Sequence, residues 1–195
     1  MIKQLDELKQ TIEKCNKCEL YKTRNNPVIG EGNPNAKIMF IGEAPGFNED
    51  KQGKPFVGQA GKIFDELLNS INLQREKIYI TNILKCRPPQ NRNPKQEEIK
   101  ACAPYLDRQI KIINPKIICC LGNFATKFIF NKFGLKDKIK GISEIHGKPI
   151  QISNLNGKIT IIPFYHPAVA TYNVSMLDIL KKDFEKIKTN DKLCM

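Results

Sequence analysis

Two groups of residues in this 195-residue chain have types and spacings suited to chemistry. The first is a set of thiols. Cys15 and Cys18 form a Cys-x2-Cys pair, Cys86 stands in "TNILKCRPPQNRNP", and Cys102 follows in the next helical stretch. Four thiolates suit either a Zn2+ ion or an iron–sulfur cluster. Cys86 and Cys102 are not the second short knuckle that zinc ribbons use, which favours a cluster and leaves zinc open. A thioredoxin-like role for the first pair wants a strand before it and a helix after; here a helix precedes and a polar loop follows. Cys119 and Cys120 lie in an apolar run and read as core, and Cys194, in the tail, reads as unliganded.

The second group consists of polar residues that end apolar runs. Gly42-Glu43-Ala44 follows "IMFI", Asn82 follows "IYIT", Gly122-Asn123 follows "IICCL", and His166 follows "TIIPFY". Each offers a hydrogen-bonding group to a planar heterocycle. Taken singly, an Asn at a strand end is a turn residue and a His-Pro pair is a loop. Brought together at one sheet edge, they would line a ligand site, because open α/β sheets bind beyond the carboxyl ends of their strands.

That convergence demands particular elements. Ile2, Leu5, Leu8 and Ile12 put one apolar stripe on a helix over residues 2–13. Strands are expected at Lys37–Ile41, Lys77–Thr81, Lys116–Leu121 and Lys158–Pro163, with helices at 58–71, 95–112, 122–132 and about 174–188. Strand centres that are apolar throughout belong to a sheet covered on both faces. Their alternation with helices predicts an α/β fold, a three-layer α/β/α sandwich around a central four-stranded, mostly parallel sheet. Asn156-Gly157 reads as a hairpin turn, adding an antiparallel strand at 148–154. The expectation is a single domain over 1–195, with the N-terminal helix and cysteine pair in 1–35 and the α/β core in 36–190.

Composition narrows the classes. Lys+Arg 32 against Asp+Glu 20 leaves a net charge of +12. Such an excess favours an anionic partner such as nucleic acid, a membrane surface or phosphorylated metabolites, although a lysine-rich solvated surface gives the same sum. No run approaches the roughly 18 apolar residues of a membrane span, and the amphipathic N-terminus lacks a signal-peptide pattern. A soluble, cytoplasmic protein is expected, and in a reducing compartment the seven cysteines argue against a disulfide framework.

"GEAPGFNEDKQGKPFVGQAG", "TNILKCRPPQNRNP" and "HPAVATYN", with cysteines at 15, 18, 86 and 102, resemble the family 4 uracil-DNA glycosylases from Cys15 to about Asn173. These are the iron–sulfur enzymes of thermophilic bacteria and archaea. The resemblance implies a structural [4Fe–4S] cluster on Cys15, Cys18, Cys86 and Cys102. It also implies uracil-containing DNA, single- or double-stranded, as partner, and a monomer located at the prokaryotic nucleoid when bound. The reaction implied is hydrolysis of the uracil–deoxyribose bond of a flipped nucleotide, leaving an abasic site.

Under that resemblance His166 donates to uracil O2, Phe56 stacks on the base, and Glu49 blocks the room a 5-methyl group needs. Asn82 offers an acceptor for N3–H and a donor for O4, a pattern that mismatches cytosine. Gly42, Glu43 and Ala44 form the elbow against the base. The family's best-known relatives carry an aspartate at the position of Ala44 and a tyrosine at that of Gly46. Water is therefore left to the Glu43 carboxylate or a backbone carbonyl. The loop from Pro167 to Tyr172 is expected to press into the minor groove with Val169 as its wedge. Lys85, Arg87 and Arg92 are natural phosphate contacts. An iron–sulfur electron carrier or a non-catalytic nucleic-acid module would leave the Glu/Asn/His convergence unexplained, and a glycosylase for hypoxanthine is a nearer rival.

Overall fold

The computed structural model describes residues 2–154 and 157–191. Helix α1 (Ile2–Glu13) buries Leu8 and Ile12 of its apolar stripe. A two-residue strand β1 (Glu31–Gly32) precedes β2 (Ile38–Gly42), and two helices follow, α2 (Phe47–Gln52) and α3 (Gln59–Ser70). Strand β3 (Tyr79–Asn82), α4 (Gln96–Ile113), β4 (Ile117–Leu121) and α5 (Gly122–Lys132) continue the alternation. A short α6 (Ile142–Ile145) leads to the hairpin of β5 (Ile150–Asn154) and β6 (Gly157–Phe164). The chain closes with α7 (Val169–Tyr172) and α8 (Met176–Asp191). The hairpin residue Asn156 and the tail residue Cys194 lie outside the described residues.

The sheet has six strands in the order β1-β3-β2-β4-β6-β5, so the expected count of four is corrected. The inner four are parallel, and an antiparallel strand closes each edge. The strand at 148–154 was expected; β1 was not. Two paired residues are too few to show any alternation, and β1 instead depends on glycine. A Cβ on Gly32 would lie 2.0 Å from the Ile78 carbonyl oxygen, so only glycine lets this loop reach the sheet edge.

Side chains of β2 and β4 point alternately into two apolar layers. Met39, Ile41, Ile118 and Cys120 face the layer under α4 and α5, while Ile38, Phe40, Ile117 and Cys119 face that under α3 and α8. Cys119 and Cys120 are thus fully buried core thiols on opposite faces. A third apolar cluster joins Leu8 and Ile12 of α1 to Leu84, Cys86, Cys102 and Tyr105.

Parallel register does the rest of the positioning. Gly42 pairs with Asn82, and Leu121 pairs with Phe164. The four polar strand ends therefore emerge along one edge. Among the described residues no helix is long and apolar enough to cross a membrane.

Candidate active site

The elbow after β2 is pinned through its backbone. Ile83 N–H donates to the Gly42 carbonyl at 2.9 Å and Leu84 N–H to the Glu43 carbonyl at 3.0 Å. Gly42 is required by its neighbours rather than by its own backbone angles. An added Cβ would sit 2.3 Å from Asn82 Oδ1 and 2.9 Å from Phe56 Cζ. The half-buried Glu43 side chain makes no hydrogen bond among the described residues, and desolvation raises its carboxyl above the ordinary pKa.

Asn82 is 2% exposed, and its backbone carbonyl accepts from Lys85 Nζ at 2.6 Å. Lys85 itself is 1% exposed, which corrects its expected role at phosphate: the ammonium cannot reach DNA. It donates also to Thr81 Oγ1 and Gln109 Oε1, each at 2.7 Å. Burial pushes its pKa down to about 8, against the pull of the Cys102 and Cys86 sulfurs.

His166 follows β6 and meets Gly122, whose Cβ would lie 3.3 Å from that of the histidine. Ala168 N–H donates to His166 Nδ1 at 3.2 Å. Nδ1 must then be the unprotonated nitrogen, leaving Nε2–H as the donor. Burial of the ring lowers its pKa to about 4, with Glu49 pulling the other way, so the imidazole is neutral near pH 7. The Phe56 ring stacks toward His166, with centroids 5.7 Å apart at 27°. Glu49, on α2, is fixed by the N–H groups of Val57 at 2.9 Å and Gly58 at 2.7 Å, both accepted by Oε1. Helix α2 is itself tied down by Asn25, which donates from backbone and side chain to buried Asp50.

Glu43, Ala44, Glu49, Phe56, Asn82 and His166 all line one cavity of about 340 Å3, within the size range of small-molecule sites. Pro45, Gly46, Ala60, Pro88, Asn91, Arg92 and Ala168 complete its wall. Asn123 is turned away, its side chain capping the N–H of Ile142. Asn91 was not singled out from the sequence, although it lies inside the quoted "PPQNRNP". Its left-handed backbone, shared with Gln90, carries it to the cavity, and nothing in the residue type announces that.

The chain matches the model of the uracil DNA glycosylase superfamily over residues 29–194. A type-4 uracil-DNA glycosylase of Sulfurisphaera tokodaii is 49% identical, covering 94% of this chain and 83% of the relative. Those of Saccharolobus solfataricus and Archaeoglobus fulgidus are 50% and 48% identical, each over 94% of this chain and over 85% and 91% of their own length. The chain belongs to the type-4 uracil-DNA glycosylases.

In this type-4 chain the residues expected at DNA divide. Arg87 lies beside the cavity, its Nε donating to Asn91 Oδ1 at 2.7 Å and its guanidinium 5.1 Å from the Phe47 ring. Arg92 reaches the cavity wall but forks onto Glu98, at 2.5 and 3.0 Å. Pro167 is buried and Val169 packs against the core, so Val169 is not the outward wedge expected of it. One turn of α7 directs it inward. The outward apolar side chains are instead Tyr172, 92% exposed, and Val174, 78% exposed.

Cys15, Cys18, Cys86 and Cys102 all line one cavity, together with Leu84, Tyr105 and Arg24. None is in a disulfide. Among the described residues, no group of three or more cysteine, histidine or carboxylate side chains is gathered closely enough to hold a metal ion as it stands. The donor chemistry nonetheless fits thiolate ligation. Arg24 Nη1 donates to Cys86 Sγ and Lys85 N–H to Cys102 Sγ, both at 3.2 Å, contacts that favour the thiolate form. Burial raises the Cys102 thiol to about 12, a state that a bound cation would reverse.

Proposed function

We propose that the chain is a monofunctional uracil-DNA glycosylase: it takes a flipped deoxyuridine into the cavity beside Asn82 and hydrolyses the N-glycosidic bond. The observation that carries this reading is the meeting of an amide, a neutral imidazole with its proton on Nε2, an aromatic face and two carboxylates in one cavity, in a chain of the type-4 family. Asn82 pairs with N3–H and O4. Phe56 stacks on the base, a contact worth ~1–3 kcal/mol. Glu49, locked by two N–H groups, stands as the wall against a 5-methyl group.

In the reaction the C1′–N1 bond breaks, water oxygen bonds to C1′, and uracil leaves as an anion. His166 Nε2–H donates to uracil O2 as that charge develops, without having to lose its proton. Glu43 is the group for the water: its carboxylate is uncommitted, whereas its own carbonyl and that of Gly42 already accept from Leu84 and Ile83. The carboxylate must be ionised to take the water's proton. Activity should fall as pH falls through the raised Glu43 pKa, while His166, at about 4, stays neutral over most of that range. Single-turnover rates followed from neutral pH down through the raised carboxyl pKa should show this acid limb in the wild type. In Glu43→Gln the limb should vanish, with the rate reduced throughout; an unaltered rate would assign the water to a backbone carbonyl.

Cys15, Cys18, Cys86 and Cys102 are proposed to hold a [4Fe–4S] cluster, and the cluster supplies a covalent tie rather than a step of the reaction. It joins the segment after α1 to the loop after β3 and to α4. Cys102→Ala should lose the broad visible absorption of an iron–sulfur protein, whereas Cys119→Ala, altering core, should keep it. Colourless wild-type protein with bound zinc would reverse the choice of metal.

The activity itself is tested with oligonucleotides bearing U·G, U·A, hypoxanthine·T or T·G pairs, treated with alkali after incubation. Strand breaks at uracil alone are expected. Cleavage of none would favour a binding or redox protein, and cleavage at hypoxanthine would mark a shifted preference.

A further inference from the structure

Phe56 has a backbone that its side chain does not favour. Its φ is +52°, a region in which bulky aromatic residues are outliers and which persists only where the surroundings impose it. Two absences of side chain make room for it. A Cβ on Gly61 would fall 2.0 Å from the Phe56 carbonyl oxygen, and one on Gly42 would strike the ring edge. A positive restraint is also present. Arg75, in the 3-10 turn Arg75–Lys77 ahead of β3, donates from Nη2 to the Phe56 carbonyl at 2.5 Å and from Nη1 to the Pro55 carbonyl at 3.2 Å. Its Nε is fixed by Asp65 Oδ1 at 2.6 Å, and its guanidinium lies 5.7 Å from the Phe64 ring, on which Phe56 packs at 5.1 Å.

We propose that Arg75 is a positioning residue for base recognition: from outside the cavity, its guanidinium locks the left-handed backbone of Phe56 so that the ring presents its face to the flipped base. This rests on the uracil-excision reading. The planar fork matters, because two successive carbonyls and a carboxylate are held at once from one rigid group. A lysine could serve only one of them with comparable geometry. Released from the clamp, residues 55 and 56 relax toward negative φ and the ring leaves its alignment with His166.

The test is a double-mutant cycle on purified full-length protein, read by inhibition with free uracil and by binding to DNA containing an abasic site. Phe56→Ala and Arg75→Met should each weaken uracil inhibition and raise KM about thirtyfold, the middle of the range for one stacking contact. The double variant should lose no more than Phe56→Ala alone, since the arginine acts only through the ring. Abasic-DNA affinity should be unchanged, and Arg75→Lys should recover only part of the loss. Additive losses, or an Arg75→Met protein inhibited like wild type, would overturn the proposal. Should Arg75→Met fail to fold, Asp65→Ala removes the acceptor of Nε and should give a smaller loss that disappears in the Phe56→Ala background; an equal loss in both backgrounds would also overturn it. Wild-type protein that excises no uracil would instead remove the functional reading beneath.

Discussion

Asn82→Asp is expected to lower uracil excision by about 10^4-fold, the scale on which a site rejects a base whose polar groups it cannot pair. Asn82 is 2% exposed, so its side chain has almost no water with which to compensate. An ionised aspartate accepts only, leaving uracil O4 without its donor and placing a charge beside the departing anion. A protonated aspartate offers instead the donor–acceptor pattern that suits cytosine N3 and N4. Base release from duplexes carrying U or C at the same position separates the cases: loss of uracil release, with or without new cytosine release, is the expected result. Near-wild-type uracil release by Asn82→Asp would remove the amide from the reading of the base. Lys85 should be untouched by the change, because it holds the backbone carbonyl and not the amide.

His166→Ala should lower the single-turnover rate about 10^2–10^3-fold while leaving DNA affinity close to wild type. The donor Nε2–H acts on charge that exists only as the glycosidic bond breaks, so binding of intact DNA does not depend on it. A second signature follows from burial. The imidazole is held at about 4 in the native protein against 6.5 when free. The unfolded chain therefore takes up the proton first as pH drops, and native stability attributable to His166, full above about 6.5, is lost toward 4. His166→Ala should flatten that acid loss in thermal melts between those limits. Cleavage by His166→Ala at the wild-type rate would exclude the assigned role.

Much of this arrangement was legible because it follows local rules. The stripe of α1 and the uninterrupted apolar centres of β2 and β4 show themselves at period 3.6 and as buried runs. Parallel order then carries Gly42, Asn82 and His166 to one edge with no further information. What escaped was tertiary. Lys85 sits between Leu84 and Cys86 with arginines close behind, and nothing in "LKCRPPQNR" says that Gln109, far along α4, supplies an acceptor deep inside. Val169 and Tyr172 belong to the same short motif, and one helical turn decides which faces water. Arg75 resembles any surface arginine until Phe56, nineteen residues back, is seen to need its fork.

Uracil excision is tested most directly by which base leaves the DNA. A duplex carrying one U·G and one T·G pair, incubated with wild-type protein and its released bases identified by mass, is predicted to yield free uracil, an abasic sugar at the uracil position and no thymine. Release of thymine alongside uracil, or of no base at all from active-site-intact protein, would contradict it.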